Sequence, residues 1–232
     1  LKHNLVNQKD YITEPRESGY RGLHLIYRFH SKSPGKRIYN GLLVETQIRS
    51  RLQHLWATAV ETVDFFTKQA IKSNEANQEW LDFFKLVSSS FAMMENSPLV
   101  PDTPGDEKEL FLKIKEKEKH LNIIKKMKGW KEAVQIFELA IKNKKALQVF
   151  RYFLLELDIP NEKLNISTYT KSQEELAIAR YSEIERRNTG KKDFDVVLVG
   201  AETSTDLKKA YPNYFVDTDE FLHILTKIIG KY

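Results

Sequence analysis

Glu45, Gln47 and Arg49 stand at alternate positions in the run LLVETQIRS, and Tyr20 and His24 precede them in SGYRGLH. A step of two along a β-strand sends all three later side chains to one face. A carboxylate placed there can draw a proton from a hydroxyl or hold a hard cation. A row of carboxylate, amide and guanidinium along one strand face is unusual for a plain surface. Tyr20, flanked by Gly19 and Gly22, offers a flat ring in a turn, and His24 follows on the next strand. Each residue has a plainer reading: a turn aromatic, a satisfied imidazole, a cross-strand surface pair. Their joint order points instead to a nucleotide site, and no other stretch matches its density of polar groups.

The elements that must position these groups are legible nearby. GLHLIYRF, residues 22–29, is rich in β-formers and alternates, with His24, Ile26 and Arg28 on one face and Leu23, Leu25, Tyr27 and Phe29 on the other. SKSPGKR is a turn centred on Pro34 and Gly35, which predicts a hairpin to a second strand at about 39–49. Helix is predicted from about Ser50, where Leu52, Leu55, Trp56, Ala59, Val60 and Val63 form one apolar stripe. A second helix over 77–95 repeats the pattern with Trp80, Leu81, Phe84, Val87, Phe91 and Met94, and its aromatics read as core. Residues 1–20 read as mostly irregular.

Farther on, NSPLVPDTPGD (96–106) reads as a loop, and helices are expected over 107–128 and 131–141, separated by Gly129–Trp130. The lysine-dense run at 113–131 alternates with Glu116 and Glu118 and reads as a solvated face. Strands are expected at 146–155, 164–169 and 194–201, with FDVVLVGA as a buried strand. A helix capped by Ser172 should end near Gly190, a short helix should open at Thr203 or Ser204, and a loop at 211–217 should lead to a closing helix over 219–229. The implied organisation is a site-bearing segment 1–96, a linker and helical segment 97–145, and a small α+β unit 146–232.

The 232 residues are 41% apolar and 30% charged, the balance of a soluble globular chain. The absence of cysteine excludes disulfides and thiolate metal sites and fits a reducing cytoplasm. The six histidines lack zinc-site spacing, and no apolar run is long enough to span a bilayer. A net charge of +5 suits an anionic small molecule or RNA but is equally ordinary for solubility. A chain that opens on Leu1, with strand-like sequence almost at once, reads as one with material upstream.

SGYRGLH, VETQIRS and the following QHLWA resemble the synthetase domain of the RelA/SpoT family, whose pattern runs roughly DYI-x-x-P-K-x-N-GY-x-S-x-H, V-E-x-Q-[IF]-R-[ST], H-x-WA. The resemblance covers about residues 9–62. It implies a nucleotidyltransferase-like α+β fold and a GTP/GDP pyrophosphokinase that makes alarmones by moving pyrophosphate from ATP to the 3′-hydroxyl of GDP or GTP, with Mg²⁺ as cofactor. By that resemblance Tyr20 stacks on guanine, His24 contacts the acceptor nucleotide, and Arg16 and Arg21 supply cations to its phosphates. Glu45 ligates Mg²⁺ and acts as the base, Gln47 and Arg49 orient ribose or phosphate, and His54 and Trp56 support them.

The chain departs from the pattern at Ser18, where the family usually has Asn, and at Gly22, where it usually has Ser. The family's ATP-binding half, with its Asp-x-x-Gly-x-Arg strand, is not found in residues 1–9. The expectation is therefore an acceptor half with little activity alone and an open sheet edge that invites homo-oligomers. Two other readings stay open: a toxin-like relative that modifies the tRNA 3′ end, favoured by the lysine-dense helix, and a non-catalytic nucleotide-binding module. The C-terminal unit is similar to an extension of some long family members, with no chemistry attached.

Overall fold

In chain order, the computed structural model forms β1 (Asn4–Asp10), β2 (Leu23–Arg28), a 3-10 turn (Pro34–Tyr39), β3 (Leu43–Ile48) and the helices α1 (Arg51–Thr67), α2 (Gln78–Met94), α3 (Glu107–Leu121) and α4 (Ile123–Lys142). There follow β4 (Phe150–Asp158), β5 (Lys163–Thr170), a 3-10 turn (Lys171–Gln173), α5 (Glu174–Arg187), β6 (Phe194–Gly200) and α6 (Tyr214–Gly230). The residues described are 3–67, 78–142, 150–158, 163–188, 194–200 and 214–232. The chain is α+β, and no helix among these residues is long and apolar enough to cross a membrane. It divides into one unit of Leu1–Ala57, Ile71–Ile114 and Tyr232, and another of Thr58–Ala70 and Lys115–Lys231.

The first unit is built on an antiparallel sheet in the order β1-β2-β3. Gly41, at φ +96°, lets the β2–β3 hairpin close: its amide bonds to the Phe29 carbonyl at 3.0 Å, and the Phe29 amide bonds to Leu42 at 2.8 Å. His24 pairs with Gln47 and Ile26 with Glu45, so the expected parity holds and these four side chains share a face. The first surprise is β1, which lies where irregular chain was expected. Its sequence NLVNQKD shows no apolar alternation because this outer strand is almost wholly exposed, so no face had to be apolar.

After β1 the chain turns sharply. The Asp10 carboxylate accepts the Thr13 and Ile12 amides at 3.1 and 2.9 Å, and these bonds, Thr13's first, hold its carboxyl below the usual range. The Tyr11 amide then bonds to the Gly22 carbonyl at 3.0 Å, closing residues 11–22 into a loop. Within it, the Gly19 amide bonds to Arg16 at 2.8 Å and the Arg16 amide to Tyr20 at 3.2 Å.

The loop is clamped to α2. The Ser88 hydroxyl donates to the Gly19 carbonyl at 2.6 Å and accepts from Arg21 Nε at 3.2 Å. Arg21 is 3% exposed; its other nitrogens donate to the carbonyls of Ile12, at 3.3 Å, and Pro98. Gly19 sits at φ +91°, and a Cβ there would lie 2.9 Å from Ser88 Cβ and 3.2 Å from the Trp56 ring. The unit's core is Trp56 with Phe83, Phe84 and Phe91; the Trp56 indole donates to the Phe84 carbonyl at 2.8 Å. The α2 aromatics are thus core, as their spacing indicates. Ser50 caps α1, since Gln53 N donates to Ser50 Oγ and Ser50 N to Gln53 Oε1, both at 3.1 Å.

The second unit holds an antiparallel sheet in the order β5-β4-β6, with α5 packed on it. Phe153, Leu154 and Leu155 of β4 are buried, as are Ala177 and Ile184 of α5. Three expectations change here. The break in the lysine-dense region falls at Asn122, at φ +52°, while Gly129 and Trp130 lie buried inside α4. Asn tolerates the left-handed region, and a buried glycine next to a buried tryptophan serves packing instead of termination. Thr170 and Gln173, not Ser172, form the reciprocal cap before α5. Residues 214–217 open α6 instead of ending a loop. The short helix expected at 203–204 and the strand start at 146–149 lie outside the described residues.

Two substitutions test the clamp. Gly19→Ala combines a left-handed backbone with overpacking against α2 and is expected to cost about 2–5 kcal/mol, seen as a lower urea midpoint. Ser88→Ala leaves the buried Arg21 Nε and the Gly19 carbonyl without that partner and should cost about 2 kcal/mol by the same measurement.

Candidate functional site

Tyr20, His24, Glu45, Gln47 and Arg49 form a closed ring of hydrogen bonds. Tyr20 Oη lies 2.6 Å from His24 Nε2, and His24 Nδ1 lies 2.6 Å from Glu45 Oε1. Glu45 Oε2 is 3.5 Å from Gln47 Nε2, and Gln47 Oε1 accepts Arg49 Nη2 at 2.8 Å. The same Arg49 nitrogen donates to Tyr20 Oη at 2.9 Å, which closes the circuit. The strand register makes this possible, because His24–Gln47 and Ile26–Glu45 are cross-strand pairs on one face. Tyr20 reaches that face from the loop clamped by Ser88.

The donors and acceptors run in one sense. Arg49 can only donate, so Tyr20 Oη accepts from it and has its own proton left for His24 Nε2. A carboxylate can only accept, so the neutral imidazole carries its proton on Nδ1, facing Glu45. The hydrogen-bond network, and not a seen hydrogen, assigns this tautomer. Glu45 remains 45% exposed in its side chain while His24 is 11% exposed, so the carboxylate faces solvent with its rear held by the imidazole.

Around Tyr20 lies a second shell of π contacts. The Tyr11, Tyr20 and His24 rings meet edge-to-face, with centroids 5.2 to 5.8 Å apart. The Arg49 guanidinium lies over the Tyr20 ring at 5.1 Å. Arg16 lies over Tyr11 at 4.4 Å and over Tyr20 at 5.6 Å, and donates to Tyr11 Oη at 2.8 Å. That hydrogen bond, more than the charge alone, draws the Tyr11 phenol below its ordinary range. With these neighbours Tyr20 is only 7% exposed.

The residues singled out in the sequence therefore part into two sets. Tyr20, His24, Glu45, Gln47 and Arg49 converge, and Arg16 joins them through Tyr20. Arg21 does not: where a phosphate contact was expected, it points inward to Ser88 and two carbonyls. Burial pushes its guanidinium down while Glu95 opposes the shift. Ser18 is also buried, and its hydroxyl accepts the Tyr20 amide at 3.4 Å, so it shapes the loop. His54 is half-buried on the first turn of α1, where its amide bonds to Ser50 at 3.0 Å. Sequence reasoning missed Tyr11 and Ser88. Tyr11 stands five residues before Arg16 in the DYI segment, and Ser88 opens a serine triplet inside an otherwise apolar helix; both were visible signals.

As a cation site the ring offers one carboxylate. Among the described residues no three His, Cys, Asp or Glu side chains cluster as metal ligands. A single carboxylate still fits Mg²⁺, which binds through one or two carboxylates plus substrate phosphates and keeps several waters.

Residues 1–68 match the model of the region found in RelA/SpoT proteins. The GTP pyrophosphokinase YjbM of Bacillus subtilis (strain 168) is 40% identical over 63 residues, which cover 26% of this chain and 28% of that protein. The chain thus spans 28% of that relative's length, and the family match over residues 1–68 contains the whole hydrogen-bonded ring. Residues 1–68, which include the ring around Tyr20, are thus similar to the region found in RelA/SpoT proteins.

Proposed function

We propose that residues 1–68 form the guanine-nucleotide side of a pyrophosphokinase site, on a nucleotidyltransferase-like fold. The observation that carries this reading is the closed ring, which fixes an aromatic platform and an exposed carboxylate on one sheet face. Tyr20 is the base platform, its hydroxyl held on both sides so that the plane of the ring is set before a ligand arrives. Glu45 accepts the proton of the acceptor's 3′-hydroxyl, and His24 Nδ1–H steadies the carboxylate from behind. Gln47 and Arg49 hold Glu45 and Tyr20 in register along β3. Arg16 is the exposed cation for the acceptor phosphates, while Arg21 and Ser18 build the loop. His54 supports the start of α1 behind the site.

Glu45 is also the residue that would hold Mg²⁺. The metal, when bound, would neutralise charge on the phosphates being transferred. The donor is ATP and the acceptor GDP or GTP; the match to a protein named GTP pyrophosphokinase supports this pairing. Stringent-response alarmone synthesis in the cytoplasm is the setting that such chemistry serves.

Tyr20→Ala tests the platform. Base–aromatic stacking of about 1–3 kcal/mol predicts GDP binding weaker by roughly five- to 150-fold in calorimetric titration. Equal affinity for both forms would remove the acceptor reading. Glu45→Gln should leave GDP affinity within about threefold yet, assayed in a protein that also carries the ATP-binding half, lower transfer of label from ATP by roughly 10²–10⁴-fold. Offering GDP, GTP and tRNA as alternative acceptors completes the assay, and label on tRNA alone would overturn the nucleotide reading.

A further inference from the structure

A base cannot stack on Tyr20 as the site stands, because that ring is 7% exposed beneath two guanidiniums. One of the cations has to leave. Arg49 is tied by its Nη2 to both Tyr20 and Gln47, and its Nε is buried. Arg16 is exposed, and one side-chain bond, to the Tyr11 hydroxyl, holds it in place.

We propose that Arg16 and Tyr11 form a displaceable cover in which the Arg16 guanidinium occupies the purine's place over Tyr20 and Tyr11 keeps it there. This rests on the acceptor reading and adds a residue to it. A guanidinium is planar and cationic, so it lies on an aromatic face much as a base does. The incoming purine takes over that face, and the released guanidinium is free to meet the phosphates that arrive with the base. Base entry and phosphate recognition are then one exchange. A nucleoside without phosphates displaces Arg16 and gives it no new partner, so the cover disfavours guanosine against GDP.

The cover predicts tighter binding from two substitutions, which a purely structural role does not. Tyr11→Phe keeps the ring but removes the hydroxyl that retains Arg16. Calorimetric titration should show both guanosine and GDP binding about two- to fivefold more tightly, the range set by the loss of one exposed hydrogen bond of about 0.5–1 kcal/mol. Arg16→Ala should raise guanosine affinity by a similar factor while lowering that for GDP, since the phosphate cation is gone. Unchanged or weaker guanosine binding by both variants, with loss of binding in Tyr20→Ala intact, overturns the cover and leaves the acceptor reading standing. Indifference to Tyr20→Ala removes that reading itself. Urea unfolding of each variant reports whether the fold is kept, and Arg16→Lys, which retains charge without a planar group, should bind guanosine as Arg16→Ala does while sparing GDP. If Arg16→Lys behaved like the wild type toward guanosine, the purine-mimic idea would fail.

Discussion

The hydroxyl of Tyr20 is where the first unit's geometry is decided. It has one proton and two neighbours close enough to claim it, His24 Nε2 at 2.6 Å and Arg49 Nη2 at 2.9 Å. Because a guanidinium has no lone pair to offer, a neutral His24 imidazole is the one of the two that can take that proton. His24 then faces Glu45 with an N–H, Glu45 accepts a second contact from Gln47, and Gln47 turns its carbonyl to Arg49. Five side chains from a loop and two strands thus have one consistent arrangement. Reversing any member would leave two donors or two acceptors face to face, which is costly away from bulk water.

A ring of this kind constrains only if its members start from fixed backbones. Glu45 and Gln47 lie on β3, whose parity carries on to Arg49 just past its end, and His24 is opposite on β2. Tyr20 has no strand to hold it. Its position comes from the Ser88 hydroxyl, which grips the Gly19 carbonyl and the Arg21 side chain together. Burying Arg21 has a desolvation cost, and the Ser88, Ile12 and Pro98 oxygens offset it by satisfying the guanidinium. Its removal from solvent is why Arg21 serves the loop and not a phosphate. Adjacent residues, Tyr20 and Arg21, end up on opposite duties, one bonded into the ring and the other to α2.

Much of this was legible in the residues. The alternation from Leu23 to Phe29 and from Leu43 to Arg49 gave the facing sets correctly, since a period of two survives whatever covers the sheet. The α1 and α2 stripes were equally plain. What stayed hidden shares one physical cause: it depends on partners far away in sequence. β1 carries no pattern because it borrows its strand geometry from β2. Ser88 is an unremarkable serine until Gly19 and Arg21 are beside it. The helix break passed over Gly129 for Asn122 because tertiary packing buried the better breaker. Arg21 and Arg16 are both guanidiniums near a tyrosine, and only burial separates a structural cation from an exposed one.

That separation has an electrostatic consequence for the site as a whole. Arg16, Arg21 and Arg49 are not equally available to an incoming anion. Arg21 is committed to neutral oxygens inside the unit, and Arg49 is held by the ring that also holds Glu45. If Arg49 swung toward a phosphate, Tyr20 and Gln47 would each lose a donor and the platform would loosen as the ligand bound. Arg16 can move without disturbing the ring, since its hydroxyl partner Tyr11 stands outside it. At a separation of about 4 Å and an effective dielectric near 20, one guanidinium–phosphate contact gains about 4 kcal/mol before desolvation. The exposed cation–π contact that Arg16 gives up is about 0.5–1 kcal/mol. The exchange therefore favours a phosphorylated ligand over a nucleoside, and it leaves the ring that holds Glu45 intact.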